Sequence, residues 1–337
     1  MNVLITGGYG FIGAWIIRNL LGRGDKVFVY DLKEDPRRLR LILPEERLGE
    51  VTFVPGDVTD LPGLQGAIER HGITHLVHLA GLQVPFCKAD PILGAKVNVI
   101  GTLAVFEAVL RSRGQVKRLV YASSAAVFGA PEMYPQGPLS DDVLLTPSTH
   151  YGVFKCANEG NARIYYQDFG LSSIGLRPWT VYGVGRDLGM TSEPTKAIKS
   201  VAIGRPYAIS YGGWQDFQYV DDVAKTFVRC LEAPYRGAKS YNLRGAVADI
   251  RTFHQTLCAV EPAAKELVTH GDKQIAIAYD LSDDALQRDL GPIPVTPLEE
   301  GVRRTLEMFR QLHREGRLDT ADLDAPKPPP PAVLDEA

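Results

Sequence analysis

A glycine-rich turn near the start of the chain constrains the fold more than any other feature of the sequence. The turn lies between a predicted strand, Asn2–Thr6, and a predicted helix, Phe11–Leu21, and it has the spacing G-x-G-x-x-G at Gly8, Gly10 and Gly13. Glycine at these positions lets the backbone turn tightly, lets a phosphate approach the main chain and lets the helix pack closely on the strand. Because the helix N-terminus then faces the turn, the motif predicts a binding site for the pyrophosphate of a dinucleotide.

An acidic residue indicates which dinucleotide is expected. Asp31 stands 18 residues after Gly13, at the end of a second predicted strand, Lys26–Tyr30. Its carboxylate would accept hydrogen bonds from the adenosine ribose and repel a 2′-phosphate, which favours NAD over NADP. Asp57-Val58, after a third strand, would cover the adenine, or Asp57 would cap the next helix. Three cations follow Asp31 closely and weaken the preference for NAD: Lys33, Arg37 and Arg38.

Short β-branched runs alternate with helical periodicity through the first half of the chain, which is typical of βαβ units. The expected fold class is therefore α/β, a doubly wound parallel sheet of the Rossmann type with a smaller C-terminal substrate-binding domain. Further strands are predicted at Val51–Pro55, His75–Leu79, Arg118–Ala122 and Leu171–Leu176. Further helices are predicted at Leu61–His71, Leu93–Arg111, Gly152–Phe169 and Leu298–His313.

The regular alternation stops at Pro178, where segments punctuated by glycine and proline begin. We expect an NAD-binding domain over residues 1–178, to which the chain returns near 214–246. We expect a substrate-binding region over residues 179–320. Residues 321–337 form a proline-rich tail that cannot build a core, and this tail is expected to be disordered.

Composition excludes several classes of function. The net charge of −3 shows no basic excess, so no nucleic-acid partner is expected. The N-terminus has no signal-peptide pattern and we find no apolar run of about 18 residues, so no membrane partner is expected and the protein is placed in the cytoplasm. No metal is expected, because the four cysteines are scattered without the spacing of a metal site: Cys87, Cys156, Cys230 and Cys258.

A tyrosine and a lysine four residues apart mark the expected acid/base centre. Tyr151 and Lys155 lie at the start of a predicted helix, so both side chains project from one face. A phenol is a poor base at neutral pH, but a nearby ammonium stabilises the phenolate and should lower the pKa of Tyr151. Ser124 follows the strand Arg118–Ala122 at the carboxyl edge of the sheet, where ligands bind, and its hydroxyl would hold the reacting oxygen.

These motifs occur in an order that resembles the extended short-chain dehydrogenases/reductases, and within them the NAD-dependent epimerase/dehydratase family. The resemblance runs from Met1 to about Phe309. It implies that Ser124, Tyr151 and Lys155 are catalytic, and that two copies form a homodimer by pairing the helices near 95–111 and 152–169. Further segments carry it: His78-Leu-Ala-Gly81, Asn98-Val-Ile-Gly-Thr102, Arg177-Pro-Trp-Thr-Val-Tyr-Gly183, Phe217-Gln-Tyr-Val-Asp-Asp-Val223 and Leu298-Glu-Glu-Gly301.

The same resemblance implies an NAD site at the carboxyl ends of the first strands. The residues that it places along the cofactor are Gly7, Gly10, Gly13, Asp31, Asp57, Ala80 and Asn98. Neighbouring positions complete the expected site: Phe11, Ile12, Leu32, Val58, Leu79, Gly81, Ala122, Tyr151, Lys155 and Pro178.

Two departures from the family pattern narrow the reaction. Ala125-Ala126 stands where the 4,6-dehydratases carry an Asp-Glu pair, so elimination of water has no obvious proton donor. Thr180 and Gln215 stand where nucleotide-sugar epimerases usually have an Asn and an Arg that contact the diphosphate. A neutral amide is a weaker partner for a diphosphate than arginine is. Arg186 or Arg205 could substitute, but the departure favours a smaller substrate without a nucleotide.

Loops at the carboxyl edge supply the expected substrate-binding residues, with Met190 and Ser192 as further candidates on the same segment. His150 could relay a proton, although a histidine beside a helix start is more typical of a cap or a surface residue. His78, on a strand, is interpreted as a core histidine. The expected substrate-binding residues are Gln83, Ser124, Trp179, Thr180, Arg186 and Thr191.

Three functions are compatible with these residues. The first is an NAD-dependent oxidoreductase that transfers hydride from a secondary hydroxyl of a sugar, a sugar acid or a similar small substrate. The second is an NAD-dependent (nucleotide-)sugar epimerase that uses the same step through a transient ketone, and the motifs do not separate the two. The third, a non-catalytic NAD-binding protein, is disfavoured because Ser124, Tyr151 and Lys155 are all present.

Overall fold

A seven-stranded parallel sheet forms the centre of the structure, a computed structural model that describes residues 1–324. The strand order is β10-β6-β5-β4-β1-β2-β3, so the chain leaves β1 in both directions and a crevice opens where the order reverses. This arrangement confirms the predicted fold class. Along the chain the strands are β1 Asn2–Thr6, β2 Lys26–Asp31, β3 Val51–Pro55, β4 His75–His78, β5 Arg118–Ala122, β6 Ser173–Arg177, β7 Thr180–Tyr182, β8 Tyr207–Ile209, β9 Trp214–Tyr219, β10 Ala238–Asn242, β11 Ala246–Asp249 and β12 Val268–His270.

Helices cover both faces of this sheet, which is why its central strands are continuous apolar runs: Val3, Leu4 and Ile5 of β1 are completely buried. The helices are α1 Phe11–Gly22, α2 Arg37–Arg40, α3 Leu61–Arg70, α4 Val84–Ala89, α5 Pro91–Ala95, α6 Gly101–Arg111, α7 His150–Phe169, α8 Glu193–Ala202, α9 Val220–Glu232, α10 Ile250–Val260, α11 Ala264–Leu267, α12 Asp284–Leu290 and α13 Leu298–Arg314. A π-helical turn, Lys96–Ile100, joins α5 to α6.

Local sequence explains the ends of α7, the helix that carries the expected acid/base pair. The Thr149 hydroxyl caps its first turn by accepting a hydrogen bond from the Gly152 amide at 3.0 Å. Gly170 ends the helix in the left-handed conformation, with φ +67°, which glycine adopts without a steric penalty. These two residues fix where the helix begins and therefore where Tyr151 lies.

The chain returns to the main sheet through α9 and β10. Strand β10 pairs in parallel with β6, and α9 packs on α1. Strand β9 lies elsewhere, in a three-stranded sheet between β11 and β7, and β8 pairs with β12. The expected return near 214–246 therefore begins at α9, and the segment before it belongs to the smaller C-terminal part.

The end of the described chain is packed against α8. The Asp322 carboxylate accepts a hydrogen bond from the Lys199 ammonium at 2.7 Å, and the backbone carbonyl of Asp322 accepts another from Lys196 at 3.0 Å. The expectation of a disordered tail is therefore wrong for residues 321–324, because two lysines of the preceding domain hold this acidic turn. The remainder of the expected tail, 325–337, lies outside the described residues.

One helical segment within residues 1–324, Pro91–Arg111, is long and apolar enough to cross a membrane by length and composition alone. The sequence pattern missed it because Lys96 and Asn98 interrupt the run. Half of the segment is buried inside the fold, where α6 packs on α3 and α7. This packing is that of a core helix with one face left open.

Candidate active site

A cavity of about 740 Å³ lies at the carboxyl edge of the main sheet, between the loops after β1–β3 and those after β4–β6. It is lined by every residue expected to contact the cofactor except Asn98. It is also lined by every residue expected to contact the substrate except Thr180. Ligands of doubly wound sheets bind at this position, where the strand order reverses.

The glycine-rich turn forms one wall of the cavity and fits a pyrophosphate. Gly7 has φ +68°, and a Cβ there would lie 2.8 Å from the backbone of Ala80. A Cβ on Gly13 would overlap the carbonyl oxygen of Gly8. Gly10 precedes α1 without any side-chain cap, so the first amides of α1 are available to an anion in the cavity.

The charged residues at the adenosine end of the cavity include Asp31 and an arginine, Arg38, that is paired with an acid of the protein. Asp31, at the end of β2, accepts a hydrogen bond from the Leu32 amide at 2.9 Å, and burial raises its pKa. Arg38 also lines the cavity, but its guanidinium donates to Asp187 at 2.7 Å and to the Gly185 carbonyl at 3.2 Å. The arginine that weakened the preference for NAD in the sequence is thus held by its own counter-ion.

Asn98 acts on the cavity indirectly. Its side-chain amide exchanges two hydrogen bonds with the backbone of Leu82, at 2.7 and 2.9 Å, and the residue is buried. Asn98 therefore fixes the loop after β4, whose residues Gly81, Leu82 and Gln83 line the cavity. Asp57 does not cap α3, since its carboxylate accepts both hydrogen bonds of Thr59 at 2.8 Å.

The three residues of the expected catalytic group meet at the centre of the cavity. The Ser124 hydroxyl oxygen accepts a hydrogen bond from the Ala126 amide at 3.1 Å. The Lys155 ammonium donates to the carbonyl of Ala122 at 2.6 Å and lies 5.5 Å from the centre of the Tyr151 ring. The backbone of α7 approaches this turn so closely that a Cβ on Gly152 would overlap the Ala126 carbonyl.

Burial and two neighbours set the proton affinity of Tyr151. Burial raises its pKa, while a hydrogen bond from Ser124 and the positive charge of Arg186 lower it. Burial also lowers the pKa of Lys155 to about 8. The sequence predicted that Lys155 would lower the pKa of Tyr151, whereas in the structure Arg186 is the cation that does so.

A buried ion pair anchors the middle of α7 behind this group. The Glu159 carboxylate accepts two hydrogen bonds from Arg177 of β6, at 2.7 and 2.9 Å, and another from the Ser123 hydroxyl at 2.5 Å. Glu159 lies one turn after Lys155 and favours its charged form. The pair thereby ties the helix that carries Tyr151 to the strand ends that carry Ser124.

Part of the cavity wall is built by residues that follow β7. Arg186, Gly189, Met190 and Thr191 line it, and the Arg186 guanidinium donates to the Thr191 hydroxyl at 3.1 Å. Thr180 does not reach the cavity, because strand alternation turns Trp179 and Val181 toward it instead. The Thr180 hydroxyl donates to the side-chain oxygen of Gln215 at 2.7 Å, and both residues are completely buried.

Sequence reasoning missed several lining residues. Ile277 reaches the cavity from the irregular segment after β12, and no periodicity marks it. Arg38 was noted only as a charge that could affect cofactor choice. Tyr30 lines the cavity from strand β2, and none of the motifs in the sequence includes it.

His150 and His78 have the surface and core positions that the sequence favoured for them. His150 is exposed and stacks on Phe154 with ring centres 6.1 Å apart. His78 is buried between the hydroxyls of Thr6 and Thr102, at 2.7 and 2.9 Å, and burial lowers its pKa to about 3. His78 is therefore a neutral histidine of the core, as the sequence predicted.

Comparison with known proteins agrees with this geometry. The model of the NAD-dependent epimerase/dehydratase family matches residues 3–243. A UDP-glucose 4-epimerase of Mycolicibacterium smegmatis is 30% identical, over 92% of this chain and 99% of its own length. UDP-glucuronate 4-epimerase 3 of Arabidopsis thaliana is 29% identical, over 94% of this chain and 78% of its own. The crystal structure of Thermus thermophilus UDP-glucose 4-epimerase with NAD is 28% identical, has a TM-score of 0.77 and covers 92% of this chain and 99% of its own.

The fold and the cavity define an NAD-dependent enzyme of the extended short-chain dehydrogenase/reductase type. The chain belongs to the NAD-dependent epimerase/dehydratase family. The expected cofactor, NAD, and the expectation of an enzyme that works by hydride transfer are confirmed by these relationships.

Proposed function

We propose that the enzyme transfers hydride at a secondary hydroxyl of a sugar, a sugar acid or a similar small substrate. The observation that carries this proposal is the meeting of Ser124, Tyr151 and Lys155 in one cavity with the glycine-rich turn. NAD, when bound along that turn, supplies the hydride acceptor. The phenolate of Tyr151 takes the hydroxyl proton, and Ser124 holds the reacting oxygen.

Hydrogen bonds to the backbone hold Lys155 and Ser124 in place beside Tyr151. Lys155 is held on the Ala122 carbonyl at 2.6 Å, which places its ammonium beside the end of β5. Ser124 is fixed by the Ala126 amide, so its hydroxyl proton can be donated toward Tyr151. We assign the cofactor to the lining residues that follow β1–β3 and the substrate to Gln83, Trp179, Arg186 and Thr191, among others near the catalytic group.

A second candidate, an epimerase with a retained cofactor, is favoured by the relatives. Two of them are named UDP-glucose 4-epimerase and one UDP-glucuronate 4-epimerase. Both candidates begin with the same removal of hydride, so the test is the fate of the hydride. A dehydrogenase produces NADH from external NAD, which is followed by absorbance at 340 nm. An epimerase produces the inverted sugar, visible by NMR, without net NADH, and a protein that does neither with a broad sugar panel contradicts the proposal.

We also propose a homodimer formed through α5, α6, α7 and the π-helical turn between α5 and α6. Large apolar side chains are exposed on this surface, which monomers rarely leave open. Pairing of two copies would cover the open face of Pro91–Arg111. Light scattering on the purified enzyme tests this, and a monomeric mass would contradict it. The exposed side chains are Ile92, Ile100, Val153, Ile164 and Phe169.

We further propose a cytoplasmic enzyme with two functional parts, the NAD-binding part over residues 1–178 and the substrate-binding part over 179–320. The packing of Pro91–Arg111 inside the fold supports the first statement. The contribution of Arg186 and Thr191, both beyond residue 178, to the lining of the cavity supports the second.

A further inference from the structure

We propose that the natural substrate is a free hydroxy acid, without a nucleotide, whose carboxylate pairs with Arg186 while its hydroxyl faces Ser124 and Tyr151. This proposal rests on the hydride transfer proposed above and names the substrate class for the same site. Two independent features support it: a guanidinium in the cavity whose buried Nε has no hydrogen-bond partner, and the absence of Thr180 and Gln215 from the cavity lining.

The guanidinium of Arg186 has unused hydrogen-bond donors that an anion could accept from. Its Nε is buried and has no hydrogen-bond partner, and only its Nη2 is used, by Thr191 at 3.1 Å. The guanidinium carbon lies 5.7 Å from the centre of the Phe11 ring, and burial lowers the pKa of the group. A guanidinium in such surroundings is stabilised by a carboxylate that accepts two parallel hydrogen bonds.

The neighbouring acids are already engaged elsewhere. Asp187 follows Arg186 in the chain, but its carboxylate is held by Arg38 at 2.7 Å. The acids that line the cavity, Asp31, Asp35 and Asp57, come from the loops after β2 and β3, at the adenosine end. Within residues 1–324 the substrate end of the cavity therefore presents a positive charge without an acidic lining residue of its own.

The position of that charge relates it to the reacting oxygen. Arg186 and Tyr151 line the same cavity, and the positive charge of Arg186 lowers the pKa of the phenol. A substrate that contacts both side chains can therefore place its carboxylate on Arg186 while its hydroxyl faces Tyr151. Gln83 lines the same space, and its buried side-chain oxygen has no partner, so it can accept a hydrogen bond from a further hydroxyl of the substrate.

A nucleotide diphosphate fits this end of the cavity poorly. Gln215 is neutral and completely buried, and neither Gln215 nor its hydrogen-bond partner Thr180 lines the cavity. Arg205, the other arginine considered for a diphosphate, does not line the cavity and forms an ion pair with Asp324 at 2.6 Å. Among the lining residues that follow β4 there are two cations, Lys155 and Arg186, and Lys155 is assigned to catalysis. The single guanidinium of Arg186 can pair with one carboxylate, whereas a diphosphate carries more negative charge.

Oxidation of such a hydroxy acid is a balanced reaction with NAD, the cofactor of the family, as the hydride acceptor. The C–H bond of the secondary alcohol breaks and its hydride passes to NAD⁺, while the hydroxyl proton passes to Tyr151 and then to solvent. The products are a keto acid, NADH and a proton. A class of reaction that hydrates, cleaves or decarboxylates a keto acid would consume this product.

The test compares sugars with and without a carboxylate, and with and without an attached nucleotide. The wild-type enzyme and Arg186→Gln, Arg186→Lys and Arg205→Gln variants are supplied with NAD and with D-glucuronate, D-gluconate, D-glucose, methyl D-glucuronate, UDP-glucose or UDP-glucuronate. NADH is read at 340 nm and epimers by NMR. Binding to the NADH complex is read by quenching of NADH fluorescence, which detects acids that bind without reacting, and melting temperatures confirm that each variant folds.

We expect the free acids to bind and the neutral sugar and the ester not to. Arg186→Gln should weaken acid binding by roughly 30-fold or more, as expected when one partner of a buried charge pair is removed. Arg186→Lys should recover part of that loss, and Arg205→Gln should behave as the wild type.

Three results would overturn the proposal: equal use of acids and neutral sugars, preference for the UDP-sugars over the free acids, or absence of any free-acid binding that Arg186→Gln removes. Conversion of UDP-sugars or neutral sugars would overturn the substrate class while leaving the proposed hydride transfer intact. Absence of NADH and of epimers with every compound, despite binding of the acids, would instead contradict the proposed hydride transfer.

Discussion

The two ends of the cavity are built in different ways. The cofactor end is made of main chain and of residues close in sequence, with the glycine-rich turn, the start of α1 and the end of β2 all within residues 1–31. The substrate end is made of side chains from distant segments, such as Gln83, Arg186 and Ile277. Backbone geometry that binds a constant cofactor tolerates little change, whereas side chains on separate loops can be exchanged to suit a substrate.

The two ends also differ in whether their arginine has a partner within the protein. At the adenosine end Arg38 is paired with Asp187, so the acid Asp31 meets no free arginine there. At the substrate end Arg186 has a buried Nε without a partner. Arg38 therefore has a counter-ion within the protein, whereas we propose that the substrate supplies one for Arg186.

The largest expected effect separates catalysis from cofactor binding. Replacing Tyr151 with Phe removes the group that takes the proton, so kcat should fall by roughly 10³-fold, in the range of general acid–base catalysis. NAD affinity, measured by titration, should stay near that of the wild type. Tyr166→Phe on the same helix, outside the cavity lining, is the control and should keep full activity. Full turnover in Tyr151→Phe would disprove the assigned base.

The second prediction concerns the main-chain character of the cofactor end. Gly13→Ala places a methyl group against the Gly8 carbonyl, so the turn must open, and we expect NAD binding to weaken by about 100-fold or the protein to lose on the order of 2 kcal/mol of stability. Gly66→Ala in α3 meets nothing within 4 Å and serves as the matched control. Equal behaviour of the two variants in NAD titration and thermal melting would show that the close approach of α1 is not needed.

A smaller effect is expected from the acid at the ribose. Asp31→Ala removes the repulsion of a 2′-phosphate, so the ratio of NAD to NADP affinity should fall by about tenfold. Asp142→Ala, an exposed acid that does not line the cavity, should leave the ratio unchanged. An unaltered ratio in Asp31→Ala would mean that another group selects the cofactor.

The smallest effect is a shift in pH dependence. Oxidation requires the phenolate of Tyr151, so its rate rises with pH through the pKa of this group, which burial raises and Arg186 lowers. Arg186→Gln removes the lowering influence, and the rising limb of kcat should move to higher pH. Arg186→Lys keeps the charge and should move it less. A limb that does not move in Arg186→Gln would show that Arg186 does not act on Tyr151.

Much of the cofactor end was predictable because its signals are local. A glycine turn between a strand and a helix, followed by an acid at the end of the next strand, places Gly10, Gly13 and Asp31 without knowledge of the rest of the chain. The start of α7 was nearly as well marked, since Tyr151 and Lys155 share a face at four-residue spacing. The structure brings all of these residues to one cavity.

The sequence by itself thus indicated the main strands along the chain, the cofactor turn and the candidate acid/base pair, because hydrophobic period and glycine spacing are local patterns. Only the tertiary structure decided which distant side chains meet. In the structure Thr180 donates to Gln215 instead of reaching the cavity, and Asn98 binds the Leu82 backbone. Arg38 pairs with Asp187, while Arg186 lines the cavity with its buried Nε unpartnered. The physical reason is that contacts and burial between loops depend on how the layers pack, which no local pattern encodes.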